Sequence, residues 1–140
     1  MQQIRPFHLA FPVYDLDKTR KFYEDILDCK IGRISDKWID FDFFGHQVTA
    51  HLTKDKIQEP PANEVDGKAV PIKHSGVILE WQQWHKFADK LRSHSIEFII
   101  EPHIRFEGQA GEQATMFFLD PSGNALEFKA FKDDSHIFRK

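Results

Sequence analysis

"DPSGNALEFKAF", residues 120–131, decides how the chain is to be read. Asp120-Pro121-Ser122-Gly123 has the residue order of a type I turn, with Asp at the first corner, Pro at the second and Gly at the fourth. A strand is therefore predicted to follow, and its apolar residues Leu126 and Phe128 flank a carboxylate, Glu127. Side chains alternate faces along a strand, so Glu127 and Lys129 share the face opposite the apolar one. A carboxylate in the middle of a half-buried ribbon must find a partner or hold a metal, because its desolvation is otherwise uncompensated.

Working outward, "QATMFFL" and "IEFIIEPHI" read as two further strands, and "WQQWHKFADKLRSH" before them as a helix. Trp84, Phe87, Ala88 and Leu91 recur in that helix at spacings of three, four and seven. "KHSGVILE" precedes it as a strand. The same order is written earlier in the chain. "PFHLAFPV" reads as a strand and "DLDKTRKFYEDILDC" as a helix with Asp15 as N-cap. "KIGRIS", "KWIDFDFFG" and "HQVTAHL" follow as three strands, the last two joined by a tight turn at Gly45-His46. Residues 53–71, polar and carrying paired prolines, read as a linker. The expected fold class is α+β: two βαβββ modules, about 6–52 and 72–131, forming a shared open barrel or cleft, with a tail at 132–140.

The repeat pairs positions across the modules. His8 and His74 come early on the two first strands, while His51 and Glu127 sit on the two last strands. Two imidazoles and one carboxylate with open positions form the donor set of a non-haem Fe(II) site. His8, His74 and Glu127 are therefore expected to hold a divalent metal, Fe(II) first, with Mn, Zn or Ni as other occupants. His46, His85, His94, His103 and His136 fall at turns, on a helix, near a strand end or in the tail, and are read as solvated or locally bonded.

Bulk properties exclude other classes. The chain has 140 residues, a net charge of −3 and 14 phenylalanines. This is enough for one domain of ordinary size, without the basic stripe that nucleic-acid binding requires. No apolar run approaches a membrane span, and "MQQIRPFH" lacks the charged start and apolar stretch of a leader. Cys29 is the single cysteine, so a reducing, cytoplasmic setting is expected.

"HLAFPVYDLDKTRKFYEDIL", "HSGVIL" and "FFLDPSGNALEFKAF" together resemble the vicinal-oxygen-chelate superfamily, which includes glyoxalase I, fosfomycin-resistance proteins and extradiol ring-cleavage dioxygenases. The resemblance implies a cleft between two βαβββ modules, with metal ligands on first and last strands, here His8, His74 and Glu127. The two-His, one-Glu set looks most like the extradiol branch. It implies an oxidoreductase acting on a catechol-like or vicinal-oxygen substrate with O₂. The alternatives are a glyoxalase-like isomerase or lyase, a resistance-type transferase using the same metal, and a small-molecule binder. Extradiol enzymes add a tyrosine and a histidine in the second module. Phe117 stands about where the tyrosine is expected, and His103 is a loose match for the histidine. A homodimer is expected by analogy.

His51 is expected to act as acid–base catalyst or as a fourth ligand, since imidazole titrates near neutrality. Arg105, in the loop "RFEGQAGEQ", and Lys129 are expected to meet substrate, with Gly108 and Gly111 loosening the loop as a lid. Trp38, Phe44 and Phe117 line a candidate aromatic pocket, and Glu112 and Gln113 are candidates for orienting a ligand.

Overall fold

The turn opening "DPSGNALEFKAF" folds as its residues dictate. In the computed structural model, which describes residues 3–140, Gly123 N–H donates to the Asp120 carbonyl at 3.0 Å. The Asp120 carboxylate accepts from the backbone of Ser122 and Asn124, each at 2.9 Å. Met1 and Gln2, the start of the stretch read for a leader, lie outside the described residues.

The turn launches β10 (Ala125–Phe131), which pairs antiparallel with β9 (Gln113–Leu119) and sets Glu127 opposite Phe117. β8 (Phe98–Arg105) and β7 (Ile78–Leu79) complete a sheet of order β7-β10-β9-β8. Leu126, Phe128 and Ala130 are buried. Helix α2 (Trp81–Ser93) lies on that face, where Trp84 donates its indole N–H to the Phe128 carbonyl at 2.8 Å and Phe87 meets the Phe128 ring edge-on. The opposite face carries Glu127 and Lys129.

Upstream, β1 (His8–Val13), β2 (Lys30–Ile34), β3 (Trp38–Phe43) and β4 (His46–Leu52) form a sheet of order β1-β4-β3-β2. In each sheet the first strand pairs parallel with the last, which requires a crossover; the helix between first and second strands supplies it. The predicted repeat is thus present twice with the same strand order. Residues divide into two compact units, one up to Glu59 together with Asp120–Asn124, the other from Pro60 to Leu119 and from Ala125 onward. No helix among the described residues is long and apolar enough to cross a membrane.

Four details differ from the sequence reading. The predicted helix at 15–29 is α-helical only as α1 (Leu16–Lys21), with Asp15 capping it through a 2.9 Å bond from Lys18 N–H. It then widens into a π turn, Phe22–Ile26, closed by Leu27 N–H to the Phe22 carbonyl at 3.1 Å. The wider turn lets Phe22 and Tyr23 both enter the core, while Ile26 is only half-buried. Tyr23 stacks on Phe41 with ring centroids 5.1 Å apart.

The hairpin between β3 and β4 turns at Phe44-Gly45, one residue earlier than expected, with both at positive φ, 53° and 89°. Positive φ at both corners is the twist-matched geometry for a two-residue hairpin.

The supposed linker is half structured. β5 (Ala62–Val65) and β6 (Lys68–Pro71) form a hairpin around Asp66-Gly67, and Val70 is buried with Ile100, Phe117 and Ala125. Finally, "KHSGVILE" forms regular strand only at its end. Ser75 makes an isolated bridge to Leu126, and Gly76 presses against the backbone of β10.

The Tyr23 hydroxyl donates to the Asp120 carboxylate at 2.8 Å, and the Asn124 amide donates to the Pro12 carbonyl at 2.9 Å. Burial, then the Asp120 charge, raises the Tyr23 phenol well above 10.0; burial also raises Asp120, against the bonds from Asn124, Tyr23 and Ser122. The folded state therefore holds the phenolic proton more tightly than the unfolded chain. The stability this contributes is intact below about pH 10 and is lost as pH rises further, at up to ~1.4 kcal/mol per pH unit. Tyr23→Phe is expected to cost about 1–2 kcal/mol at neutral pH and to unfold with a shallower alkaline slope than the native chain, both read from urea melts at stepped pH.

Candidate metal centre

Glu127 stands at the middle of β10, with its side chain 18% exposed. Thr115, on β9, donates its hydroxyl to Oε1 at 2.9 Å, and Lys129 Nζ lies 3.6 Å from the same oxygen. The other oxygen, Oε2, lies 3.0 Å from Nε2 of His74. The carboxylate is thus aimed by three neighbours of the same unit.

The His74 ring is fixed from behind. Its Nδ1 is 2.9 Å from the Pro71 carbonyl, at the end of β6. A carbonyl oxygen only accepts, so Nδ1 carries a hydrogen. Nε2 then faces a carboxylate oxygen, so an imidazole nitrogen and a carboxylate oxygen stand side by side. Metal-bound histidines are held this way, the far nitrogen donating to a carbonyl while the near one meets the ion. Phe117, 2% exposed, packs edge-on against the His74 ring with centroids 4.8 Å apart.

Gly76 makes this approach possible. A Cβ built there would fall 1.6 Å from the Glu127 carbonyl oxygen. With no side chain in the way, the segment lies close enough for Glu127 N–H to donate to the Ser75 carbonyl at 2.9 Å. Two residues back, His74 is then beside the carboxylate.

In the first unit the parallel register of β1 and β4 sets His8 opposite Gln47 and Pro12 opposite His51. His8 and His51 therefore share one face of the sheet, four residues apart along it, or about 13 Å. Both are exposed. Val13, Val48 and Ala50 have the opposite parity and are buried with Tyr23 in the core of this unit.

The sequence reading missed Asp40 on the His8 face. Its side chain is 8% exposed, accepts from the Thr49 hydroxyl at 2.7 Å and meets Arg33 Nε at 3.4 Å. Its signal was the one used for Glu127, a carboxylate between Ile39 and Phe41 in a half-buried strand.

The remaining predicted residues have definite places. Arg105 is the last residue of β8 rather than part of a free loop, and its Nε lies 3.5 Å from Asp66. The following loop is tied down: Glu112 accepts from Gly108 N–H at 2.8 Å, and His136 accepts from Gly111 N–H at 3.1 Å. Glu112 also meets Lys132 at 3.5 Å, and Gln113 donates to the Gly111 carbonyl. Trp38 pairs across the strands with His51 and lies under the Arg33 guanidinium, whereas Phe44 packs against Phe43 at the hairpin turn.

Among the described residues, no three His, Cys, Asp or Glu side chains gather into a group that could hold a metal ion. The second unit brings two donors together, His74 and Glu127; His8 stands on the first.

The chain is similar to known proteins. The family model for the Glyoxalase/Bleomycin resistance protein/Dioxygenase superfamily matches residues 5–128. A glyoxalase/bleomycin resistance protein/dioxygenase from Alicyclobacillus acidocaldarius is 33% identical, covering 95% of this chain and 96% of that one, with a TM-score of 0.78. The metallothiol transferase FosB of Lysinibacillus sphaericus is 26% identical over 121 residues, 86% of this chain and 78% of its own length. The fosfomycin resistance protein FosX of Listeria monocytogenes shares the fold, with a TM-score of 0.69 at 17% identity over 92% of this chain and 94% of its own. The chain belongs to the Glyoxalase/Bleomycin resistance protein/Dioxygenase superfamily.

Proposed function

We propose that the protein is a divalent-metal-dependent enzyme in which His8, His74 and Glu127 hold the ion, and that it adds a nucleophile to a small, oxygen-bearing substrate. One observation carries this: the His74–Glu127 pair, 3.0 Å apart, with the far nitrogen of His74 on the Pro71 carbonyl. Such a pair offers one imidazole nitrogen and one carboxylate to the same point. When bound, a divalent ion supplies Lewis acidity to the substrate oxygen that it holds.

The chain's own groups do the rest. Thr115 and Lys129 keep the Glu127 carboxylate in one orientation. Phe117 gives the His74 ring an apolar wall that excludes water on one side.

Addition is preferred to ring cleavage for two reasons. Phe117 has no hydroxyl to donate where an extradiol enzyme places a tyrosine. The likeness to metallothiol transferases points the same way. The donor set itself still suits Fe(II) and O₂, so oxygenation is the second reading.

A direct test loads the metal-free protein with Mn(II), Fe(II), Zn(II) or Ni(II) and offers low-molecular-weight thiols with small epoxides, fosfomycin among them. In the expected reaction the thiol sulfur forms a bond to an epoxide carbon, the carbon–oxygen bond breaks, and the thiol proton ends on that oxygen. The product mass is then the sum of the two reactants, and no oxygen is consumed. Oxygen uptake with catechols and no thiol adduct would establish the second reading instead.

A further inference from the structure

The β5–β6 hairpin presents its turn residue, Asp66, to two basic side chains of β8. Asp66 Oδ2 lies 3.3 Å from His103 Nε2 and 3.5 Å from Arg105 Nε. The other nitrogen of His103 faces the Glu101 carbonyl at 3.0 Å. Each ring nitrogen of His103 thus has an oxygen beside it. One oxygen of Asp66 therefore faces both an imidazole and a guanidinium.

The fit is loose. Charge-assisted bonds of this kind run about 2.7–2.9 Å, and both contacts here fall on a single oxygen of Asp66. Arg105 offers one edge of a guanidinium that is built to grip an oxyanion with two bonds, while its carbon lies 5.1 Å from the centre of the Phe106 ring. The strand register sets His103 opposite Thr115 and Thr115 opposite Lys129. Lys129 is two residues beyond Glu127, hence on its face. A row of basic groups thus leads from the hairpin tip to the Glu127 carboxylate.

We infer that His103 and Arg105 form a subsite for an anionic oxygen group of the substrate, a carboxylate, phosphate or phosphonate, and that Asp66 fills it until such a group displaces it. The inference rests on the reading of the Glu127 face as the reactive one. A free carboxylate, phosphate or phosphonate can turn separate oxygens toward the two side chains, whereas the tethered Asp66 presents one. The hairpin's other end is anchored by buried Val70, so the tip is the part that yields. Ion pairs exposed to this degree, 35–40% on each side chain, hold weakly.

The test uses Asp66→Asn, which preserves the hairpin: residue 66 has φ 49°, and Asn-Gly is a favoured pair for such a turn. Metal-free native protein, D66N and the double variant D66N/R105Q are titrated with inorganic phosphate. The ¹⁵N signals of Arg105 Nε and the His103 ring report binding. D66N is expected to bind phosphate about tenfold more tightly than the native chain, and the double variant to lose that gain. In the native chain, phosphate should also speed amide exchange at residues 64–68. Equal titrations of native and D66N protein, or signals of Arg105 and His103 that phosphate leaves unmoved, overturn the subsite. Metal is absent throughout, so this failure is distinct from failure of the metal centre, which shows as unchanged phosphate binding in a protein that takes up no ion.

Discussion

Glu127→Gln is expected to lower divalent-metal affinity by on the order of a thousandfold and to abolish metal-dependent activity, while the metal-free fold changes by less than about 1 kcal/mol. The substitution keeps the shape of the side chain and leaves an oxygen to accept from Thr115. It removes the negative charge that would face the ion. Groups that merely orient a ligand cost about 10–100-fold in affinity when removed, so loss of a charged ligand should exceed that range. Thr115→Val supplies the comparison: it deletes the 2.9 Å hydroxyl bond to Oε1 and should cost about tenfold. Calorimetric titration of both variants, beside urea melts of their metal-free forms, separates affinity from stability. A Glu127→Gln protein that binds metal as the native chain does would remove Glu127 from the ligand set.

Gly76→Ala carries the second large effect, and here the fold itself is at stake. The added Cβ would meet the Glu127 carbonyl oxygen at 1.6 Å and its carbonyl carbon at 2.6 Å. These are backbone atoms of a strand paired on both sides, with β7 and with β9, so they cannot rotate away. Overpacking inside a core ordinarily costs about 1–3 kcal/mol. A backbone clash that also parts the 2.9 Å bond from Glu127 N–H to Ser75 should cost about 3 kcal/mol or more. The same displacement moves His74 off the carboxylate, so whatever fraction folds should bind metal poorly. Gly45→Ala is the contrast, because nothing lies within 4 Å of its built Cβ. It carries only the cost of positive φ, about 1 kcal/mol.

What was legible in the sequence follows from range. Glu127 was readable because alternation is local: Leu126 and Phe128 announce the buried face, and a carboxylate between them needs a reason. α2 was readable because Trp84, Ala88 and Leu91 repeat with helical period. The π turn at Phe22–Ile26 was not, since it serves Tyr23, whose hydroxyl meets a carboxylate 97 residues away. The Asp66-Gly67 hairpin did have a local signal, a turn pair between short apolar positions, but the prolines and charges around it outweighed that signal. Arg105 looked free because its partner, Asp66, lay in that misread segment. Asp40, between Ile39 and Phe41, obeys the logic that reveals Glu127, but no histidine of the repeat points to it.

The most direct measurement of the metal assignment is pulsed electron paramagnetic resonance of Mn(II)-loaded protein carrying ¹⁵N-labelled histidine. Two imidazole nitrogens should couple to the ion in the native chain, and one each in His8→Gln and His74→Gln. A spectrum that His8→Gln leaves unchanged would contradict the assignment of residues 8, 74 and 127 to one shared cation.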